Sequence, residues 1–86
     1  MDAPDMFIAT VTNDERSFEE DMELPSEMPV SELSRQILMI LKETHDDIFE
    51  GWTTCRIEAG GRILEDDETL LKAGVFDGGR IVVRLP

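Results

Sequence analysis

Val30, Leu33, Ile37, Ile40/Leu41 and Thr44 recur at the spacing of a single helical face near the middle of the chain. That stripe repeats every three to four residues, and it predicts an amphipathic helix from Val30 to about Thr44. Pro29 suits its start, because a fixed φ fits the first turn and no ladder can continue through it. Glu32 in the first turn and Lys42 in the last complement the helix dipole. Leu38 flanks the stripe, and Met39 lies off it and is expected to face water. The segments before and after the helix alternate with a period of two. One amphipathic helix against one sheet defines a two-layer α+β domain.

The strands follow from that alternation. Met6 to Thr12 places Phe7, Ala9 and Val11 on one face and Met6, Ile8 and Thr10 on the other, without deciding which is buried. Asn13-Asp14-Glu15 reads as a turn, with Asn13 and Asp14 suited to left-handed angles. Arg16 to Leu24 is the second strand. Glu20 falls on its apolar side with Phe18, Met22 and Leu24, so a bulge or a sheet edge is expected there. His45 to Gly51 reads as a loop anchored by Ile48 and Phe49. Trp52 to Ala59 forms the third strand, with Thr53, Cys55 and Ile57 opposite Trp52, Thr54, Arg56 and Glu58. Gly60-Gly61 signals a hairpin into a short strand, Arg62-Ile63-Leu64. Glu65 to Glu68 is an exposed acidic loop. Thr69 to Ala73 is one helical turn, released by Gly74 in the left-handed conformation. Arg80 to Leu85 closes the order β-β-α-β-β-short helix-β, a mixed sheet of four or five strands packed on one helix.

Eighty-six residues make one domain, expected over residues 6–86 behind a flexible tail of residues 1–5. The longest apolar run, Ile37 to Leu41, is far below the ~20 residues that cross a bilayer, so direct membrane insertion is not expected. The start, Met-Asp-Ala-Pro-Asp, lacks the character of a secretory signal. Together with the lone Cys55, these features fit a cytoplasmic protein. A formal net charge of −12 disfavours nucleic acids and anionic membranes. The expected partner is a protein with a basic or apolar surface.

The chemical inventory argues against an enzyme. The chain holds one cysteine, one histidine and no tyrosine. Cys55 sits mid-strand, where a core residue belongs, and His45 sits at the helix end as a cation facing the dipole. Gly60-Gly61 and Gly78-Gly79 are turn punctuation, not phosphate loops. The acids at Glu19-Glu20-Asp21, Asp46-Asp47 and Glu65 to Glu68 lack calcium-loop spacing. No cofactor and no metal are therefore expected. The candidate contact residues are Phe49 and Trp52 at the helix-to-strand joint, with Met39 nearby, and Arg56 and Arg84 on the strands. Aromatic and Met residues favour interface centres. The reading preferred for Phe49 and Trp52 is that they cap one end of the core, with the contact role as its alternative.

The stretch Ala59-Gly60-Gly61, Leu64-Glu65-Asp66, Thr69-Leu70 and Ala73-Gly74-Val75 resembles the closing region of ubiquitin. Pro25 and the helix positions Val30, Leu33 and Ile37 resemble its helix entry and core stripe. The likeness runs from about Met6 to Leu85 and implies a ubiquitin-like β-grasp fold. A nearer resemblance is to the YukD/EsaB family of bacterial type VII secretion systems, in which a Trp opens the third strand as Trp52 does here. Leu70, Ala73-Gly74-Val75 and Asp77-Gly78 match that family's closing pattern. The same unit resembles the amino-terminal domain of the EccD membrane subunits of those systems.

Two departures from ubiquitin carry implications. The sequence ends at Leu85-Pro86 without a Gly-Gly tail, which implies a protein that docks and is not conjugated. Arg84 stands near a Val of ubiquitin's recognition patch, which implies that ordinary ubiquitin receptors do not bind. The function expected from the resemblance is a non-conjugated, non-enzymatic adaptor or regulatory component of a type VII secretion system. The alternatives are a modifier or sulfur carrier whose Gly-Gly tail is missing, or a ubiquitin-like domain cut from a larger EccD-like membrane protein.

Overall fold

The helix forms where the spacing places it. In the computed structural model, which describes residues 5–86, helix α1 spans Val30–Thr44 and buries Val30, Leu33, Ile37, Leu38 and Leu41. The buried arc is turned toward Leu38. As a result Leu41 fills the core, while Ile40 remains 42% exposed. Thr44 is also exposed. It ends the stripe outside the core, its hydroxyl donating back to the Ile40 carbonyl at 3.0 Å.

The ridge lies on a five-stranded sheet in the order β2-β1-β5-β3-β4. Strand β1 (Met6–Asn13) pairs antiparallel with β2 (Glu19–Pro25) and parallel with β5 (Gly79–Arg84). Strand β3 (Arg56–Ala59) pairs antiparallel with β5 and with the two-residue β4 (Arg62–Ile63). Alternation sends Phe7, Ala9, Val11, Met22, Leu24, Ile57, Ile81 and Val83 to the helix. This settles the face of β1 that the sequence left open.

The first hairpin departs from expectation. Neither Asn13 nor Asp14 is left-handed; Arg16 takes that conformation, with φ 53°. Asn13 fixes the geometry by other means. Its carbonyl accepts from the Arg16 N–H at 3.0 Å, and its Oδ1 accepts from the Ser17 N–H at 2.9 Å. The turn is therefore longer than a tight hairpin. Strand β2 starts at Glu19 instead of Arg16, and Phe18 reaches the core from the loop. Glu20 is half-buried on β2, an edge strand, and its carboxylate lies 3.8 Å from His45 Nε2. The edge, not a bulge, resolves the apolar-face carboxylate.

The joint after α1 also differs. Asp46–Phe49 forms a short helix, α2, in place of a loop. Trp52 does not open a strand: its N–H donates to the Phe49 carbonyl at 3.0 Å, and β3 begins only at Arg56, where β5 reaches it. Helix α3 (Leu70–Ala73) is capped by the Thr69 hydroxyl and ends at Gly74 with φ 80°. Such an angle suits glycine because it has no Cβ.

The acidic loop is more than solvent-facing charge. Pro29 gives α1 no side-chain cap. The Val30 N–H donates instead to the Glu68 carbonyl at 2.8 Å, and the Ser31 N–H to the Asp66 carbonyl at 3.1 Å. Two of the helix's orphan donors are thereby satisfied. Asp5, expected in a flexible tail, has its carbonyl held by the Ser26 N–H at 2.9 Å. The rest of the expected tail lies outside the described residues.

Leu33 is fully buried at the centre of the ridge. Leu33→Ala is expected to cost roughly 2–5 kcal/mol in urea unfolding, and Ile40→Ala under about 1 kcal/mol. Similar losses for the two variants would contradict this assignment of the buried arc.

Candidate protein-interaction surfaces

The five candidate contact residues fall on two separate faces. Met39 and Trp52 come together on the helix side, where they share a shallow hollow with Arg35, Leu38, Lys42 and Thr53. Met39 is 64% exposed. The Lys42 ammonium donates to the Trp52 carbonyl at 2.6 Å, tying the last turn of α1 to the chain beneath it. Phe49 is corrected from a contact residue to a support, since it is wholly buried and offers no area to a partner. Its ring meets Trp52 edge-on at 4.8 Å and Phe18 at 5.3 Å, so it fixes the indole from below.

Arg56 and Arg84 stand on the other face. They are cross-strand neighbours in the β3–β5 register. The Arg84 guanidinium meets Glu58 at 2.7 Å and Asp14 at 3.2 Å. Those two carboxylates offset the like charge beside it. Arg80 on the same strand pairs with Glu19 at 2.9 Å. This open face is a charge lattice of both signs. Its apolar members include half-buried Val82 on β5 and, on β1, Ile8, which is 51% exposed, with Met6 exposed beside it. Phe76, 60% exposed on the α3–β5 connection, packs edge-on against Phe7 at 6.2 Å. Sequence reading did not single out Ile8 or Phe76 as exposed, and it put Ile40 on the apolar stripe. Both faces of β1 are apolar, so its pattern carries no sign of which side is open.

Burial raises the Cys55 thiol from 9.0 to about 11, and its Sγ lies 3.5 Å from the Ser34 carbonyl. It is protonated at neutral pH and acts as a core residue. His45 is occupied by Phe18, at 4.8 Å between rings, and by Glu20. Among the described residues no group of three His, Cys, Asp or Glu is arranged to hold a metal. No described helix is long and apolar enough to cross a membrane. In the acidic loop, Glu68 accepts both arms of the Arg62 guanidinium, at 2.8 and 2.9 Å, and the Glu65 N–H at 2.8 Å. Those bonds, the Arg62 fork foremost, lower its carboxyl from 4.5 to about 2.

One helix roofing this mixed sheet, with a short helix before the closing strand, is the architecture of ubiquitin-like domains. The chain belongs to the YukD family of the WXG100 protein secretion system (Wss), whose model matches residues 8–83. Among solved structures it is similar to a chain of the MycP5-free ESX-5 inner membrane complex in State II, with TM-score 0.76 and 20% identity. That match covers 94% of this chain and 21% of the other, so this chain spans about a fifth of that one's length. It is also similar to the ubiquitin-like domain of the Mycobacterium tuberculosis type VII secretion protein EccD1, with TM-score 0.72 and 21% identity, covering 92% of this chain and 97% of that one. The EccD5 ubiquitin-like domain of Mycobacterium xenopi aligns with TM-score 0.73 at 16% identity, covering 94% of each chain. No curated protein matches the sequence significantly. The chain is a type VII secretion-associated ubiquitin-like domain.

The Arg62–Glu68 fork predicts an acid-sensitive term. A carboxyl lowered in the fold contributes its full stabilisation above its ordinary value and loses it as pH falls toward 2. The stability difference between the natural chain and Glu68→Gln is therefore expected to shrink as pH is lowered through that window. Chemical denaturation across the window reads it out, and a gap independent of pH would contradict the assignment.

Proposed function

We propose that this chain is a non-enzymatic adaptor or regulatory component that docks without covalent attachment on a protein of the type VII secretion machinery. The observation that carries the reading is the Met39–Trp52 patch. An exposed thioether and a half-buried indole sit side by side on a rigid floor formed by Phe49. An aromatic anchor with its ring already fixed loses little freedom on binding, which favours affinity. Family membership supports the class of partner. The strongly acidic remainder of the surface speeds encounter with a basic partner by long-range attraction that weakens with salt. We place the protein in the cytoplasm and take residues 6–86 as the folding unit.

The test is affinity capture and crosslinking from native cells. The tagged chain is expected to recover a component of the secretion apparatus. Met39→Glu is expected to abolish that recovery and Lys72→Gln, at an exposed position of α3, to preserve it. Recovery of no secretion component, or equal recovery by all three chains, would refute the proposal.

A further inference from the structure

Charge is unevenly divided along the exposed side of α1. The chain holds 20 acidic residues against 8 basic ones. None of the described carboxylates lines the hollow between Met39 and Trp52, whereas Arg35 and Lys42 both do. Neither cation forms an ion pair among the described residues. Lys42 gives one ammonium proton to the Trp52 carbonyl and keeps two for another acceptor. Arg35 is exposed, with its guanidinium fork free. On a chain with net charge −12, two available cations beside an apolar hollow are a local exception.

Their spacing is as informative as their sign. Arg35, Met39 and Lys42 stand at i, i+4 and i+7, so they share one face of the helix. The two cations are about 10 Å apart along its axis, with Met39 between them. At about 100° per residue, Glu32 and Glu43 fall on the other side of Met39, away from Leu38 and the hollow. The exposed side of α1 therefore carries a cationic row toward Trp52 and an acidic row opposite. In an extended partner segment, side chains on one side recur at about 7 Å and then about 13 Å, and neither interval matches the cations. In a helix, positions i and i+7 lie on one face about 10 Å apart, with position i+3 or i+4 between them.

We infer that the Met39–Trp52 patch receives an amphipathic helix of its partner protein, laid along α1, in which one apolar residue is bracketed by a carboxylate a turn away on each side. The apolar side chain enters the hollow over Leu38, and the carboxylates meet Arg35 and Lys42. The acidic row at Glu32 and Glu43 fixes which way those carboxylates face. The inference rests on the proposed contact role of this patch and adds the partner's chemistry to it. Basic residues that the acidic remainder of the surface attracts lie outside this contact.

The probe is a phage-displayed helical scaffold, free of tryptophan, randomised on one face and selected on the intact chain. Trp52 is the chain's one tryptophan, so its emission reports whether the hollow is filled. The expected consensus is Asp or Glu at i and i+7 with a large apolar residue at i+3 or i+4, against the Lys- and Arg-rich helices that net charge alone would select. Selected helices are expected to shift Trp52 emission. Arg35→Glu is expected to weaken them about fivefold or more, Arg35→Gln to weaken them less, and Glu43→Gln not to weaken them. Both positions are exposed, and an unchanged circular dichroism spectrum reports an intact fold. Basic helices that shift Trp52 emission and fail on Met39→Glu would leave the patch as a contact and overturn the acidic helix. Helices that leave Trp52 emission unchanged and tolerate Met39→Glu would overturn the patch together with its occupant. Selection of no helix, binding indifferent to Arg35→Glu, or Met39-dependent self-association in sedimentation, which would assign the patch to a second copy, would each overturn the inference.

Discussion

The seating of the α1 ridge on the sheet is the contact on which the other features rest. Leu33, Ile37 and Leu41 are fully buried against Val11, Ile57, Ile81 and Val83, which come from the three central strands. A domain of this size has little other apolar surface to bury, so a large share of its hydrophobic stabilisation passes through this layer. The helix entry is fixed as firmly as its face. Carbonyls of Asp66 and Glu68 take the first helical N–H groups, and the Arg62–Glu68 fork holds that loop in place. The Leu71 N–H reaches the Ser26 carbonyl at 3.0 Å, joining α3 to the segment that leads into α1. Helix, acidic loop and short helix therefore lock together.

That locking explains how the candidate contact patch arises at the margin of the fold. Where β5 stops pairing, at Arg56, the chain from Trp52 to Cys55 is released from the sheet but stays pressed against α1. The release lets the indole lie over Phe49 beside Met39, and it leaves backbone groups unpaired at the β3 edge. The helix-side patch thus comes from a mismatch between the length of β5 and the β-rich run that starts at Trp52. The opposite face of the sheet carries paired charge of both signs at Arg80 and Arg84, with Met6 and Ile8 exposed on β1.

The parts of this fold that were legible in the sequence are those fixed by local periodicity. The bounds of α1 follow from the stripe and Pro29, and α3 from Thr69 and Gly74. The order of elements follows from alternating segments and glycine punctuation. What was not legible depends on partners distant in sequence. Nothing local shows that β5 stops short of Trp52, and so the third strand reads too long. The left-handed residue at the first turn is Arg16, because Asn13 spends its side chain on Ser17. The capping of α1 by the acidic loop uses backbone carbonyls, which have no residue signature. The pairing of Met39 with Trp52 was legible as proximity to one joint, and the burial of Phe49 beneath them as one of two readings of that residue, core cap or contact. Its hydrophobicity suits a floor and a contact equally.

Native-state hydrogen exchange along α1, β1 and β5 tests the central packing claim most directly. If the ridge and the central strands form one layer, the amides of Leu33, Ile37 and Leu41 exchange only through global unfolding. Their opening free energies then match those of Val11, Ile81 and Val83 and equal the stability from denaturation. If α1 opens with a distinctly smaller free energy while the sheet stays protected, the helix is an accessory to the sheet and the account fails.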